Sequence, residues 1–254
     1  MAGIGDGARL MRASFGVVRQ HPGLLWFPVI STCCLAVTAL FWIAQGSWLY
    51  EAQGKSLLFV PFVAAGLYAL AFVGAFFSVA LAGAAAEAID TGTASVSDGF
   101  DVASMRLGDI AVWAAYSISV ALAIGAVKSV KGLRLLGDAA QIAWSFATIY
   151  VVPLIAFEDL DAGSARRKSF SLAKENWRSE SGGLGALRAA LIVPGVLFYG
   201  AGRLLADGHV HSSAGKAVLG IVVVAGLAVM VAASVVRQVF AVELYRQATT
   251  VAAA

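Results

Sequence analysis

Residues 12–28 read RASFGVVRQHPGLLWFP, and this stretch decides how the chain is organised. It joins a basic, helix-like segment to a His-Pro break and then to an apolar run. The stretch RKSFSLAKENW at residues 167–177 repeats its first part, because in both a Ser-Phe pair is followed by a cation four residues after the Phe. The recurrence indicates a structural unit that the chain uses more than once.

The composition indicates lipid as the solvent of this unit. Hydrophobic residues make up 60% of the 254 and charged residues 13%, against about 45–50% and about 25% in soluble domains. A bilayer span needs roughly 18–20 apolar residues. Five runs without Asp, Glu, Lys or Arg approach or exceed that length: 23–50, 56–86, 110–127, 139–157 and 217–236.

A sixth span is predicted at residues 182–206, between the fourth and the last of these runs. This segment contains Arg188 and Arg203. We count it because an arginine near a helix end can extend its guanidinium to the lipid headgroups. The chain is therefore expected to cross the membrane six times.

The distribution of cations predicts the orientation. Twelve of the 18 lysines and arginines fall on the predicted side of the N-terminus and six on the opposite side. By the positive-inside rule this favours a multi-pass protein of the inner membrane with both termini in the cytoplasm, although three cations at 128–134 argue against it. The first apolar run is longer than the about 7–15 apolar residues of a signal peptide, so we expect it to be retained.

The basic segments are predicted to be amphipathic helices that lie at the membrane interface. In segment 8–20, three cations fall on one side of a helical wheel and three apolar residues on the other: Arg9, Arg12 and Arg19 against Met11, Phe15 and Val18. In segment 165–178 the corresponding sets are Arg167, Lys174 and Arg178 against Phe170, Ala173 and Trp177. Ser164 is placed where a helix N-cap would be.

A third, weaker copy is predicted at residues 95–108, with Ser97 or Asp98 as its cap and Phe100 as its anchor. The chain then reads as three units of one interfacial elbow helix and two spans: 8–86, 95–157 and 164–246. Pro22 and the Ser-Gly-Gly at 181–183 would let the chain bend from an elbow into the bilayer. Two spans separate successive elbows, so all three lie on one membrane face, related by a pseudo-threefold axis along the membrane normal.

The predicted fold class is therefore all-α. Residues 1–254 form one integral membrane domain, a polytopic helix bundle of six transmembrane helices and three amphipathic elbow helices. Pro28, Pro61, Pro153 and Pro194 lie within predicted spans and are expected to kink them or to loosen a turn.

Signals for catalysis or for metal binding are weak. The segment GIGDGA at 3–8 fits a phosphate loop in composition, but the strand that such a loop needs cannot precede it. Asp207, His209 and His211 alternate in a loop, and metal sites typically need three or four ligands on one face. Cys33 and Cys34 are adjacent and cannot form an unstrained disulfide. We therefore expect no enzymatic activity, no metal and no cofactor.

An acidic cluster follows the fourth span: Glu158, Asp159 and Asp161. Paired carboxylates can perform acid-base chemistry when their pKa values are driven apart. Here water is near, and Arg166, Arg167 and Lys168 follow within a few residues, so charge pairing is favoured. The alternative is a headgroup or ion site at the cytoplasmic surface.

Four stretches resemble the successive blocks of an uncharacterised family of six-span membrane proteins of bacteria and archaea, a domain of unknown function: RASFGVVRQHPGLLWFPVIS, SVSDGFDVASMRLGDIAVWA, WSFATIYVVPLIAFED and RRKSFSLAKENW. The resemblance covers nearly the whole chain and implies the fold but no activity, with Pro153 and Glu158 in its most diagnostic block. The layout is more distantly similar to the membrane domain attached to some glycerophosphodiester phosphodiesterases. We expect no counterpart here of their catalytic barrel, which needs about 250 residues.

The leading hypothesis is a non-enzymatic accessory or scaffold protein whose elbows contact anionic headgroups of the inner leaflet, or a membrane-protein partner or second copy. No nucleic-acid partner is expected. Each cation near such a surface contributes about 1 kcal/mol. The predicted contact residues are Arg9, Arg12, Arg19, Arg167, Lys168, Lys174 and Arg178, with Phe15, Phe170 and Trp177 as interfacial anchors.

The alternative is a small permease or lipid-translocating protein with a path between the hairpins. Five of the six spans lack an ionisable residue at mid-depth, which disfavours ion coupling. A path would then be lined by hydroxyls, such as those of Ser117, Ser119, Ser145, Thr148 and Ser234. Hydroxyls that bond to carbonyls of their own helix would count against such a path. An intramembrane enzyme is the third hypothesis.

Overall fold

A computed structural model describes residues 4–53, 59–158, 160–206 and 212–252 of the chain, and every regular element in these ranges is helical. Nine α-helices fall in the described ranges, and a short 3₁₀ turn at Pro22–Leu25 separates the first two. The helices are α1 (Ile4–Gln20), α2 (Trp26–Gln53), α3 (Phe59–Thr91), α4 (Val96–Met105), α5 (Leu107–Ser129), α6 (Arg134–Ala147), α7 (Val151–Phe157), α8 (Ala162–Ala206) and α9 (Ser213–Ala252).

Within the described residues, five helical segments are long and apolar enough to cross a membrane, which fits a multi-pass membrane protein: Pro22–Glu51, Phe59–Thr91, Leu107–Ser129, Arg134–Phe157 and Gly215–Thr249. The predicted span at 182–206 is not among them. Its stretch without charged residues, between Arg188 and Arg203, is shorter than the about 20 apolar residues of a typical span.

The predicted interruption of a span by proline occurs in one of the four places. The helices α2, α3 and α8 continue through Pro28, Pro61 and Pro194, whereas the fourth segment is interrupted just before Pro153. Proline has no amide hydrogen, so the bond that would close the turn onto Ile149 cannot form. Residues 148–150 form a turn between α6 and α7 instead, and the amide of Val151 donates to the carbonyl of Thr148 at 3.2 Å. The carbonyl of Ala147 thereby loses the helical partner it would have in an unbroken helix.

The predicted break at 181–183 is wrong, because these residues lie within α8, one continuous helix of 45 residues. The glycines serve close packing instead. A Cβ on Gly183 would overlap the ring of Phe240 in α9, and one on Gly226 would lie 2.6 Å from the ring of Phe198 in α8. Each helix of this hairpin therefore receives an aromatic ring from the other at a glycine.

The hairpin of α2 and α3 is packed by the same device. A Cβ on Gly46 would lie 3.2 Å from the ring of Phe62, and one on Gly66 would lie 3.2 Å from the ring of Trp42. In lipid, apolar side chains gain little from leaving the solvent, so helices associate through close backbone approach at small residues. Glycine opposite an aromatic ring supplies that approach in both hairpins.

Three helices, α3, α7 and α9, contact one another at the centre of the bundle. Fully buried residues of the core include Val79 and Ala80 of α3, Leu154 of α7, and Val239 and Phe240 of α9. The remaining helices pack around them: α1 on α8 and α9, α4 on α3, and α8 on α6 and α7 as well as on α9.

Two helix caps differ from the predicted ones. Helix α4 begins after Ser95, whose hydroxyl accepts the amide of Asp98 at 3.3 Å, so neither Ser97 nor Asp98 is the cap. Helix α8 is capped by Asp161, whose Oδ2 accepts the amides of Gly163 and Ser164 at 3.0 and 3.1 Å. Both caps lie a few residues earlier than predicted because the first turn of each helix starts earlier.

The glycine–aromatic contact of α8 and α9 predicts that Gly183→Ala lowers the free energy of unfolding by about 1–3 kcal/mol, as overpacking of a tight contact does. Gly185→Ala is the matched control, since a Cβ there meets nothing within 4 Å, and better helix propensity should stabilise it by up to about 1 kcal/mol. Thermal unfolding in detergent checks both. Equal melting temperatures for the two variants, or no recovery when Phe240→Leu is added to Gly183→Ala, would contradict this packing.

Candidate functional site

The repeated Arg-x-Ser-Phe motif occupies equivalent positions in α1 and α8. Among the described residues, Ser14 and Ser169 are the polar side chains that are fully buried. The hydroxyl of Ser14 donates to the carbonyl of Leu10 in its own helix at 2.9 Å. The hydroxyl of Ser169 donates to the carbonyl of Ala147 at 2.7 Å and replaces the partner that this carbonyl lacks in the turn before Pro153.

The buried faces of α1 and α8 contain the motif serines and leave the motif Phe residues outside. In α1 the buried residues are Met11, Ser14 and Val18, while Phe15 is 58% exposed. In α8 they include Ala165, Ser169 and Ala173, and Phe170 is 62% exposed. Small residues lie at these contacts because they permit close helix approach, and the bulkier Phe is left outside. The exposure of both Phe residues is compatible with the predicted role of interfacial anchors, which stays a prediction.

The other predicted contact residues are distributed as follows. Arg9, Arg12, Arg19, Arg167 and Lys174 are exposed, and Lys168 is half-buried. The side chains of Trp177 and Arg178 lie outside what the structure describes.

A groove lies beside the exposed motif residues of α8, between this helix and the hairpin of α5 and α6. We call it the Trp144 groove; its volume is about 580 Å³. Its walls and its basic end are formed by Tyr116, Val120 and Ile124 of α5, Ala140, Ala143, Trp144 and Ala147 of α6, Thr148 of the turn, and Arg166, Arg167 and Phe170 of α8.

Aromatic stacking positions the cation at the basic end of the Trp144 groove. The guanidinium carbon of Arg166 lies 4.2 Å from the centroid of the Tyr116 ring, a cation–π contact. That ring lies 5.6 Å from the ring of Trp144, which stacks on Trp113 at 5.8 Å. Arg166, Tyr116 and Trp144 were not predicted as site residues. The two rings come from different helices. Arg166 and Arg167 are neighbours in the sequence and differ only in the direction in which their side chains leave α8.

Arg167 is linked to the cap of α8. Its Nη2 donates to the hydroxyl oxygen of Ser164 at 2.9 Å, and that hydroxyl donates to Oδ1 of Asp161 at 2.6 Å. Hydrogen bonds from the hydroxyl and amide of Ser164, then from the amide of Gly163, together with the charge of Arg167, hold the pKa of the Asp161 carboxyl below its usual range.

A similar groove of about 620 Å³ lies beside the motif of α1. Its walls include Arg12 and Phe15 of α1, Leu187 and Leu191 of α8, and Val236 of α9. Both copies of the motif therefore contribute an arginine and the exposed Phe to a groove whose other wall is apolar.

In the third copy, in α4, the Phe is half-buried and packs against other aromatic rings. Gly99 stands where the other copies have Ser, and a Cβ there would overlap the carbonyl oxygen of Ala80. The ring of Phe100 lies 5.5 to 6.0 Å from the rings of Phe27, Phe76 and Phe77. The predicted role of Phe100 as a membrane anchor is therefore wrong.

Polar contacts join the C-terminal ends of the three central helices. Nζ of Lys168 donates to both carboxylate oxygens of Glu158 at 2.7 and 2.6 Å, and the hydroxyl of Tyr245 donates to the same carboxylate at 2.9 Å. Arg246 of α9 binds the carboxylate of Asp90, and its Nη2 lies 3.3 Å from the carbonyl oxygen of Ala86. These bonds tie α9 to both α3 and α7.

The predicted acidic cluster is not one site in the described residues. Glu158 binds Lys168 and Tyr245, whereas Asp161 caps α8. Asp159 lies outside the described residues, as do Asp207, His209 and His211. In the part of the chain that is described, no group of three or more His, Cys, Asp or Glu side chains could hold a metal ion.

Four of the five hydroxyls that were predicted to line a transport path donate to backbone carbonyls three or four residues earlier. Ser117, Ser119 and Thr148 donate to carbonyls one turn earlier at 2.8 Å, and Ser234 donates to the carbonyl of Val231 at 2.7 Å. Ser145 is half-buried. Hydroxyls satisfied in this way offer little to a passing solute.

The bond between Ser169 and Ala147 predicts that Ser169→Ala lowers the free energy of unfolding by about 1–3 kcal/mol, because it leaves a carbonyl at a buried contact unpaired. Ser171→Ala is the matched control; its exposed hydroxyl bonds only to the carbonyl of Lys168 in its own helix, and surface changes usually stay within about 0.5 kcal/mol. Thermal unfolding of both variants checks this. Equal destabilisation would contradict it.

The cap of α8 predicts a pH dependence. Since the pKa of Asp161 is lowered in the folded state, its stabilising contribution is complete above the unfolded pKa of about 3.9 and is lost as the pH falls through the folded pKa. Asp161→Asn keeps a capping side chain but should remove this part of the acid sensitivity. Melting temperatures of the parent and the variant between neutral and acidic pH check it, and parallel pH curves would contradict it.

Comparison with known proteins gives a family but no activity. Residues 57–254 match the Family of unknown function (DUF6159). No curated protein and no solved structure matches the chain. Nothing in these comparisons supports the expected distant similarity to the membrane domain of glycerophosphodiester phosphodiesterases. Since the match extends over more than half of its length, the chain belongs to the family of unknown function DUF6159.

Proposed function

We propose that the protein is a non-enzymatic accessory or scaffold protein of the inner membrane whose basic elbow helices bind anionic lipid headgroups. The observation that carries the proposal is the orientation of the Arg-x-Ser-Phe motif. In α1 and in α8 the Ser is buried against the protein, while Phe15 and Phe170 are exposed. A basic residue beside an exposed Phe on an anchored helix suits the membrane interface, where the cation meets headgroups and the ring meets acyl chains.

The contacts of the elbows support the three-unit organisation over 8–86, 95–157 and 164–246. Each elbow packs on helices of another unit: α1 on α8 and α9, α4 on α3, and the start of α8 on α6 and α7. The last helices of the three units, α3, α7 and α9, contact one another. This cyclic set of contacts is what a pseudo-threefold arrangement requires.

The packing of α8 supports a sixth span. Gly183 faces Phe240, and Phe198 faces Gly226, so residues 183–198 run antiparallel beside 226–240. The latter belong to the apolar segment Gly215–Thr249. The whole helix α8 is about 68 Å long at 1.5 Å per residue, more than twice the about 30 Å of the hydrocarbon core. We assign its first part to the elbow and its second to the membrane.

Six spans place both termini on one side, and the positive-inside rule makes this side cytoplasmic. The elbows then meet the anionic leaflet, where each exposed cation contributes about 1 kcal/mol. A membrane-protein partner or a second copy of the chain would dock on the same face.

The alternative, a permease or lipid-translocating protein, rests on a smaller cavity. About 130 Å³ lies between α2, α3 and α9, lined in part by Ser31, Ser78 and Gln238. Nε2 of Gln238 is buried with no hydrogen-bond partner among the described residues. The cavity is far smaller than the two grooves, and the hydroxyls of Ser78 and Ser234 are already bonded to carbonyls of their own helices, so we rank this function second.

The experiment compares two double charge reversals of equal charge, Arg12→Glu with Arg19→Glu in α1, and Lys131→Glu with Arg134→Glu at the opposite end of the bundle. A polarity-sensitive fluorophore on Gly16→Cys, with Cys33 and Cys34 replaced by Ala, reports the position of α1 in nanodiscs of anionic or zwitterionic lipid. A Cβ at residue 16 meets nothing within 4 Å.

We expect the emission of the parent protein to be blue-shifted in anionic lipid. The double variant in α1 should shift the emission wavelength towards its value in water, and the control variant with Lys131→Glu and Arg134→Glu should leave it unchanged. At about 1 kcal/mol per cation, removing both weakens headgroup contact by roughly thirtyfold. Identical emission from the parent and the α1 double variant in anionic lipid would overturn the proposal.

A further inference from the structure

We propose that the Trp144 groove binds one anionic phospholipid, with its phosphate on the guanidinium groups of Arg166 and Arg167 and one acyl chain lying between α5 and α6. The inference rests on the proposed function and deepens it, because it replaces a general attraction to headgroups with a defined site and a class of ligand.

The basic end of the groove is arranged to receive a phosphate. The guanidinium carbon of Arg166 lies 4.2 Å from the centroid of the Tyr116 ring, and this cation–π contact holds a guanidinium with five N–H groups at the end of the groove. Such groups suit bidentate binding to phosphate oxygens. Arg166 makes no salt bridge to a carboxylate of the described residues. Arg167 is held beside it through Ser164, and Asp161 offsets part of its charge.

The rest of the groove suits an acyl chain. From Tyr116 to Ile124 the wall of α5 is eight residues long, or about 12 Å at 1.5 Å per residue. Opposite it, Ala140, Ala143 and Ala147 of α6 leave space because their side chains are small. The groove volume of about 580 Å³ falls within the roughly 300–1,000 Å³ of small-molecule sites.

The surroundings favour a lipid over a soluble phosphate or a second copy of the chain. Both walls of the groove belong to the apolar segments Leu107–Ser129 and Arg134–Phe157, so acyl chains are the solvent at its open side. A soluble phosphate compound would use the arginines and leave the apolar length unoccupied. The hydroxyl of Thr148 is already bonded to the carbonyl of Trp144, so little of the wall offers a polar partner.

The internal repeats agree with this assignment, because both copies of the motif that have an arginine line a groove. The copy in α1 has Arg12 and an apolar groove of about 620 Å³. The copy in α4 has no cation between its cap and Phe100, and there the Phe fills the space against Phe27, Phe76 and Phe77.

The test is a lipid titration of the full chain in detergent after delipidation, read by native mass spectrometry. The probes are phosphatidylglycerol and phosphatidylcholine with identical acyl chains. We expect the parent protein to bind phosphatidylglycerol more tightly, and Arg166→Gln with Arg167→Gln to weaken that binding by roughly thirtyfold, from about 1 kcal/mol per cation. Arg134→Gln, an exposed arginine at the far end of the same hairpin, should bind like the parent.

A second variant tests the acyl-chain part without touching the arginines. Ala143 is exposed on the groove wall, so Ala143→Phe fills the groove without entering the core. It should weaken binding of phosphatidylglycerol about tenfold or more. Glycerol 1-phosphate, which carries at least the negative charge of the headgroup but no acyl chain, should not compete.

The outcomes distinguish a failure of the lipid site from a failure of the proposed function. If the parent prefers phosphatidylglycerol but the arginine variant binds it equally well, the site is overturned and the proposed function stands. If the parent shows no preference, both are overturned. Competition by glycerol 1-phosphate, or parent-like binding by Ala143→Phe, would show a headgroup site alone and overturn the lipid site. A dimer that Ala143→Phe disrupts would show that a second copy fills the groove, which also overturns it.

Discussion

The hydrogen bond from the Ser169 hydroxyl to the carbonyl of Ala147 is the interaction on which the basic end of the bundle depends. In the turn before Pro153 the amide of Val151 bonds to Thr148 instead of Ala147, and a carbonyl unpaired in an apolar environment is costly. The serine supplies the missing donor only when α8 lies with this face against α6. Its rotation then places Arg166 on Tyr116 and leaves Phe170 outside. The interruption between α6 and α7 thus orients the basic helix that follows it, α8.

Lipid as solvent explains why the rest of the bundle is built from small residues and a few polar bonds. Apolar helices do not associate by leaving water, so glycines opposite aromatic rings hold the hairpins together, as at Gly66 with Trp42 and at Gly183 with Phe240. At the C-terminal ends of the central helices the contacts are polar, and bonds of Glu158 and Arg246 connect α9 to α7 and α3.

Composition and the charge-free runs predict an all-helical membrane protein, and the ring geometry of proline predicts interruptions at four prolines within spans, of which one occurs, just before Pro153. The repeated motif is visible in the sequence, but its orientation is not, because a helical wheel cannot tell whether Ser14 or Phe15 faces the protein. The glycines at 181–183 indicated a break, since the sequence does not show Phe240 across the helix contact. Arg166 escaped prediction because its partner ring belongs to α5.

The central claim is that anionic lipid belongs to the structure of this protein at its basic helices. Native mass spectrometry of the protein extracted gently from its own membrane tests this most directly, because no lipid is added. The account predicts anionic phospholipid retained with the subunit, enriched over its share of the membrane, whether or not a protein partner is also present. A subunit that retains no lipid, or lipid in the proportions of the bulk membrane, would contradict it.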